Sequence, residues 1–415
     1  MITRDTMGLH CFTTLHHCNH LRVLFIVLAG SGVLFYMKTF TDTTIPFPSS
    51  FAGITNKPQV IVTDKPKEFS SPETLEMPYI SQETNKAKIK SNKTFRVAVL
   101  ERPLWQLEED FDFSVCEYSN CVFSGDKVTH ETDVIVVYSQ KLTENYKLPS
   151  ARPDALYVME LWEPPVRTSS TYMRNSSSKW NHIFNLTMTY RVDSDIFVPY
   201  GQLRKKSKLG VERPNYSDLT RRKTRSVAWF VSRCHVPSLR AEYVKEMQKY
   251  IDVDIYGDCG MPCSRSEEPC LKNLTDIYKF YLSFENSICK DYITEKLFKL
   301  FRPGVHVIPV VRGGGDYKKF FPKNLFINAA DFKNAKSLAL YLKNLTGDVD
   351  RYSRMLEMKD EYQVMDKPNA NHKGGLGFVG CRLCQYLNTH KVQPKVYDMK
   401  KWWGDDKCTT PNDIV

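Results

Sequence analysis

The chain has 415 residues, 42% hydrophobic and 12% aromatic, with a formal net charge of +11. That composition excludes a fibrous repeat and a wholly disordered chain, and the length suffices for two or three domains. The basic residues concentrate in two polar stretches, 39–94 and 201–225, with no interleaved aromatic platform, which argues against nucleic acid and for an acidic substrate or a membrane surface.

The run from Leu21 to Met37, LRVLFIVLAGSGVLFYM, carries no charge after Arg22. It is at the short end for a membrane span, and Arg22 and Lys38 bracket it. A cleaved signal peptide has an apolar core of similar length. The start well inside the chain and the bulky Phe35-Tyr36-Met37-Lys38 that follows favour an uncleaved anchor. A short span also suits the thinner membranes of the early secretory pathway. Arg4 and Arg22 before the run against Lys38 after it give a small bias toward a cytoplasmic N-terminus. Residues 39–94, rich in Thr, Ser, Pro and Lys, lack apolar periodicity and are expected to form an extended, disordered stem.

Ten of the 12 cysteines follow the apolar run. An even number there fits disulfides in an oxidising lumen. Cys381-x-x-Cys384 has no second pair at zinc-site spacing, so a disulfide role is expected for it. Asn92, Asn175, Asn185, Asn215, Asn273 and Asn344 begin Asn-x-Ser/Thr sequons, all on the same side of the run, as glycosylation in the secretory pathway requires.

Regular structure is expected from residue 95. Residues 95–100, 133–138 and 155–159 read as strands, the second apolar throughout, as in a strand covered on both faces. Leu161-Trp-Glu-Pro-Pro165 ends the third and places carboxylates, Glu160 and Glu163, at the carboxyl end of a central strand, where open α/β sheets bind ligands. The polar, basic residues 201–225 read as an interdomain linker. A β-α-β unit follows: strand 227–231, helix 238–250 with Ser238 as its cap, strand 253–256. Residues 280–299, FYLSFENSICKDYITEKLFK, read as a buried strand, a polar loop and a helix over 294–301. Strands at 305–311 and 325–328 and helices at 335–345 and 350–362 complete the pattern. Strands alternating with helices on both sides of a linker indicate an α/β fold of two doubly wound domains facing a cleft.

A helix start after a strand favours an anion. Lys296 in the first turn of helix 294–301 runs against the dipole preference and makes sense opposite a phosphate. Arg240, in the first turn of helix 238–250, is a second such cation, and the two together suggest a diphosphate clamp. Two solvated surface cations are the plain alternative. Four Asp-x-Asp pairs (Asp110/Asp112, Asp193/Asp195, Asp252/Asp254, Asp348/Asp350) are expected by chance in a chain with 47 acidic residues, and no protein metal site is assigned. Glu163, held in a stiff extended turn before two prolines, and Glu160 are both candidates for a general base.

Phe284-Glu-Asn-Ser287 followed by Asp291-Tyr-Ile-Thr-Glu-Lys-Leu-Phe298 resembles the signature of animal α1,3-fucosyltransferases. The resemblance continues through residues 184–201 and 227–257 and covers most of the chain from Phe95 to about Leu387. It implies an inverting transferase with two Rossmann-like domains of the GT-B type, behind an N-terminal anchor and stem. It would move L-fucose from GDP-fucose to a GlcNAc (or Glc) hydroxyl of an N-glycan or glycolipid. On matching positions Arg240 and Lys296 would bind the diphosphate, Asn286, Tyr292 and Glu295 would contact the nucleotide sugar, and Glu163 would be the base. Tyr190 and Arg191 would line the donor cleft. No tightly bound cofactor is implied; Mn2+ or Mg2+ would only stimulate. The implied partners are GDP-fucose, a glycan acceptor and the Golgi membrane, crossed once with the catalytic part in the lumen.

The expected partition is a tail (1–20), an anchor (21–38), a stem (39–94), an acceptor-side domain (95–200), a linker (201–225), a GDP-fucose-binding domain (226–370) and a Cys-containing segment (371–415). Proline after Glu163, where many relatives have serine, keeps Glu160 open as the base. Residues 101–132 match least, and acceptor preference is expected there. An inactive carbohydrate-binding scaffold and a transferase for another nucleotide sugar are the rival functions.

Overall fold

A computed structural model describes residues 93–102, 110–168, 179–206, 213–262, 276–365, 379–392 and 395–415. The apolar run from Leu21 to Met37, the stem through residue 92, the sequons at Asn92, Asn175 and Asn273, and Cys263 and Cys270 lie outside these residues. Among the described residues no helix is long and apolar enough to cross a membrane.

Two parallel sheets organise the molecule. The first contains β1 (Phe95–Leu100), β2 (Cys121–Phe123), β3 (Val134–Tyr138), β4 (Leu156–Leu161), β5 (Leu186–Thr189) and β6 (Ile196–Phe197), in the order β2-β1-β3-β4-β5-β6. The apolar runs alternate between two cores: Val97, Val99, Val134 and Val136 face one side, Leu100, Ile135, Val137 and Met159 the other. Both faces are covered, which is why the strand sequences show no polar alternation.

The second sheet is built from β8 (Arg225–Phe230), β9 (Val253–Tyr256), β10 (Tyr278–Phe284), β11 (Ile308–Arg312) and β12 (Ile327–Asn328), in the order β12-β11-β10-β8-β9. From β8 the chain first steps to β9 on one side and then to β10 on the other. The carboxyl ends of β8 and β10 therefore flank a topological switch point, where crossovers depart in opposite directions and leave a crevice. In the first sheet the same reversal occurs between β1 and β3.

Residues 201–225, read as an interdomain linker, carry regular structure among their described residues. They contain β7 (Leu203–Lys205), α1 (Tyr216–Arg222) and the first residue of β8. β7 pairs antiparallel with β13 (Tyr362–Val364), so outgoing and returning chains form one ribbon. Lys206–Asp360 (2.6 Å) and Tyr216–Asp360 (2.7 Å) secure it, and these charged partners are what made the stretch read as solvated. The helix expected over 238–250 is α2 (Arg240–Met247), and that over 294–301 is a single turn, α3 (Glu295–Phe298), continued by a 3-10 turn. α4 (Tyr317–Phe320), α5 (Ala335–Gly347) and α6 (Val349–Asp360) follow. The C-terminal residues return to the first sheet: α7 (Val379–Thr389) packs its Val379, Leu383 and Leu387 onto Val97 and Val136. α8 (Met399–Trp403) puts Met399 and Trp403 into the core on the other face.

Four disulfides join described residues: Cys116–Cys381, Cys121–Cys384, Cys234–Cys259 and Cys289–Cys408. Cys381 and Cys384 thus pin α7 to the first sheet, the disulfide role expected of them. Of the Asp-x-Asp acids, Asp195 binds Lys395 and Asp254 binds Arg225, while Asp112 and Asp348 cap helices. Asn215 and Asn344 are exposed. Asn185 is not: its amide bridges Tyr157 N (2.8 Å) and Lys395 O (3.1 Å), and Thr187 of the same sequon is fully buried.

Candidate active site

The loops after β8 and β10 are stitched together at the switch point. Ser238 was expected to cap α2, but its hydroxyl donates to Glu285 O (2.6 Å) and its N–H to Asn286 O (3.0 Å). The N-cap position falls to Leu239, in left-handed backbone (φ 48°) and without a side-chain cap. The connection to the second loop outweighs a local cap because it satisfies two buried carbonyls.

Arg240 follows and is 4% exposed. Its guanidinium donates to Phe284 O (2.8 Å) and Arg233 O (3.0 Å) and lies over Trp229. It is a buried cation on the crevice wall, not a solvated surface group. Burial lowers its pKa, opposed by the charge of Glu285. Arg240 Nε, Asn286 Oδ1 and Ser287 Oγ are buried without a hydrogen-bond partner among the described residues. Native structures leave few such atoms, so three on two stitched loops mark a place built for a polar ligand.

Glu285, read in the sequence only as part of a polar turn, organises the cation opposite. Its buried carboxylate accepts from Thr294 N (2.8 Å) and Thr294 Oγ1 (2.9 Å), and Lys296 Nζ stands 3.5 Å away. Lys296 also donates to Thr294 Oγ1 and Glu295 Oε1, each at 2.9 Å. Burial raises the Glu285 pKa. Burial pulls Lys296 down, but Glu285 and Glu295 outweigh it and hold the ammonium charged. Burial likewise works against the Glu295 carboxylate, and Lys296 beside it keeps its pKa below the ordinary value. The charge of Arg240 also acts on Lys296, in the direction that lowers its pKa.

The two carboxylates at the end of β4 are separated by side-chain direction. Glu160 is fully buried, bound to Arg102 (3.0 Å) and Trp162 Nε1 (2.8 Å), and burial raises its pKa. It is a strut. Glu163 has a side chain 23% exposed and opens into a cavity of about 450 Å³ lined by Arg102, Tyr138, Gln140, Trp162 and Tyr200. Its Oε2 accepts from Tyr292 OH (3.4 Å), and that hydroxyl in turn accepts from Asn286 Nδ2 (3.5 Å). Glu163, Tyr292 and Asn286 therefore connect the first sheet to the signature loop of the second.

Tyr190 and Arg191 are placed differently from the expectation that they contact the donor. Arg191 is 2% exposed, forks onto Asp193 (2.8 and 2.6 Å), donates to Trp402 O and stacks on the Trp402 ring at 4.4 Å. Its charge is held by Asp193, and it braces α8. Tyr190 is fully buried, edge-on to Tyr292 at 5.0 Å, and supports that ring from behind. Tyr200 escaped the sequence reading as well: its hydroxyl donates to Trp162 O (2.6 Å), fixing the peptide before Glu163.

A buried arginine and a charged lysine across a sheet switch point, faced by a carboxylate on a polar cavity, define an α/β protein fitted to a phosphorylated ligand and a hydroxylic one. The chain belongs to glycosyltransferase family 10, the fucosyltransferases. The model described as Glycosyltransferase family 10 (fucosyltransferase) C-term matches residues 220–403, and that described as Fucosyltransferase, N-terminal matches 97–201. Alpha-(1,3)-fucosyltransferase C of Drosophila melanogaster is 35% identical over 294 residues, 65% of each chain, so the match spans just under two thirds of that relative. The human 3-galactosyl-N-acetylglucosaminide 4-alpha-L-fucosyltransferase FUT3 is 36% identical over 293 residues, 69% of this chain and 75% of its own. A crystal structure of an alpha1,3-fucosyltransferase with GDP-fucose has a TM-score of 0.47 at 16% identity, over 77% of this chain and 97% of that one, a likeness too distant to argue from.

Proposed function

We propose that the protein is an inverting α1,3-fucosyltransferase of the GT-B type, moving L-fucose from GDP-fucose to a GlcNAc or Glc hydroxyl of a glycan. Two Rossmann-like domains, 95–200 and 226–370, face one cleft, and the C-terminal segment closes back on the first. The observation that carries this function is the cluster of Arg240, Asn286, Ser287 and Lys296 at the switch point, joined through Tyr292 to Glu163. Family membership names the donor class that such a cluster serves.

The acceptor hydroxyl attacks the anomeric carbon on the face opposite GDP, and its proton passes to Glu163. The bond from that carbon to the β-phosphate oxygen breaks, and the developing charge is met by Lys296 and Arg240. Arg240 Nε is the guanidinium nitrogen with no partner among the described residues, while Nη1 and Nη2 each give one donor to Phe284 O and Arg233 O. Asn286 and Glu295 contact the sugar nucleotide. No protein metal site is assigned, and any stimulation by Mn2+ or Mg2+ would come from screening the diphosphate. The apolar run from Leu21 to Met37 anchors the chain in the Golgi membrane with the catalytic part in the lumen, which the disulfides and the exposed sequons Asn215 and Asn344 support.

The test is a product assay with the full-length protein, GDP-fucose and three acceptors: N-acetyllactosamine, LacdiNAc and an N-glycan core, each product analysed for linkage. Glu163→Gln should abolish turnover and leave protection by GDP intact. Equal thermal protection by UDP-GlcNAc would refute the donor assignment, and retained turnover in Glu163→Gln would refute the base.

A further inference from the structure

Among the described residues the hydroxyl of Tyr292 meets two groups, Glu163 and Asn286. The ring is 2% exposed and enclosed edge-on by Tyr190 at 5.0 Å and Tyr200 at 6.0 Å. Its backbone is fixed as well: Tyr292 N donates to Cys289 O (3.1 Å), Cys289 is tied to Cys408, and Asp291 before it sits at φ 58°. A phenol has one proton to give and two lone pairs. Here the proton points to Glu163 Oε2 and a lone pair receives Asn286 Nδ2. Burial, reinforced by the charges of Glu285 and Glu163, pushes the phenol well above its usual pKa, so it stays protonated and acts as a donor.

Glu163 is otherwise lightly held. Arg167 Nε approaches the same oxygen at 4.0 Å, and Oε1 makes no hydrogen bond among the described residues. Tyr138 and Tyr200 also sense the Glu163 charge. Neither hydroxyl is aimed at it: Tyr138 donates to Gln140 and Tyr200 to Trp162 O. A base carried on a side chain this open needs a partner that turns one oxygen toward the acceptor.

We propose that Tyr292 is a positioning residue for the base: it pins Glu163 Oε2 from the opposite sheet, leaving Oε1 to take the acceptor proton. This rests on Glu163 being the base and departs from the expectation that Tyr292 serves mainly as a donor contact. Because Asn286 completes the chain from the donor loop, the base is set by the same loop that binds the sugar nucleotide.

Tyr292→Phe keeps the ring and removes the hydroxyl. The expected result is a kcat lower by about ten- to a hundredfold, the size of a lost hydrogen bond to a charged group. Affinity for GDP and GDP-fucose should be unchanged. The acid limb of kcat/KM should move to higher pH, because the ionised carboxylate loses a donor that favours it. Full-length protein carrying 3-fluorotyrosine at position 292 preserves the packing and gives a stronger donor; its acid limb should move to lower pH. It decides the matter if Tyr292→Phe no longer binds GDP. Loss of donor affinity with an unmoved acid limb would assign Tyr292 to the donor alone and overturn the proposal. An unchanged kcat and pH profile in both variants would overturn it as well. Failure of the underlying base assignment shows separately, as turnover retained in Glu163→Gln.

Discussion

Arg312, the last residue of β11, connects the crevice at the switch point to the C-terminal tail. It is 3% exposed and forks onto Asp413 (2.8 and 2.6 Å), while Nη1 donates to Ser238 O (2.7 Å) and the guanidinium lies 4.5 Å from the Tyr243 ring centre. Arg312→Met would leave the Asp413 carboxylate, 31% exposed, without its cation and Ser238 O without its donor. Breaking a fully buried pair costs about 3–5 kcal/mol, and discounting for the partial exposure of Asp413 leaves roughly 3 kcal/mol. With an unfolding entropy of about 2.1 cal/mol/K per residue over roughly 270 described residues, Tm should fall by about 5 °C. Asp413→Asn keeps the shape and should cost about half as much, with a coupling of about 1–2 kcal/mol in the double mutant. Ser238 also holds the Glu285-Asn286 loop, so the affinity for GDP should fall by about fivefold, equivalent to ~1 kcal/mol. Differential scanning fluorimetry with and without GDP measures both effects. Additive shifts in the double mutant, within about 0.5 kcal/mol, would show that the ion pair carries no coupling and refute the assignment.

Three further outcomes are expected. Gly314→Ala should lower Tm and abolish GDP protection together, because the added Cβ would lie 2.2 Å from Cys289 O, a backbone atom of the signature loop; a variant that binds GDP normally would show that the loop tolerates displacement. Lys359 is buried, donates to Val305 O, and burial lowers its pKa from 10.5 to about 7. The unfolded chain therefore binds more protons than the folded one between those values, so stability should rise from pH 7 toward pH 10, and Lys359→Met should flatten that rise in a pH series of denaturant melts. Glycopeptide mapping of the secreted or membrane-extracted protein should find glycans at Asn215 and Asn344 and none at Asn185, whose amide is held on both sides; a fully occupied Asn185 would contradict the packing of the chain around residue 395.

Much of the fold was legible because its signals are local. β1 and β9 occupy the residues expected of them, Phe95–Leu100 and Val253–Tyr256, since apolar runs between polar turns define strands wherever they pack. α5 begins at the expected Ala335, where Asn334 and Ser337 form a capping box. The disulfide role of Cys381 and Cys384 was readable from the lack of a second pair at zinc-site spacing. Ser238 failed as a cap because its true partner, Glu285 O, is 47 residues away.

The sequence by itself determined which segments are strands and helices and that the chain has two α/β halves. Tertiary structure alone decided how the charges are used. Glu160 and Glu163 are three residues apart and chemically alike; only the direction each side chain takes from the end of β4 gives one to Arg102 and the other to the cavity. Arg191 carries the same charge as Arg240, but Asp193 and Trp402 hold it elsewhere. The partners of Cys116 and Cys121 lie 265 and 263 residues away, and Arg312 meets Asp413 across 101. Periodicity and capping report contacts within a few residues, whereas burial, hydrogen bonding and charge pairing depend on neighbours that the chain brings together only when both sheets have formed.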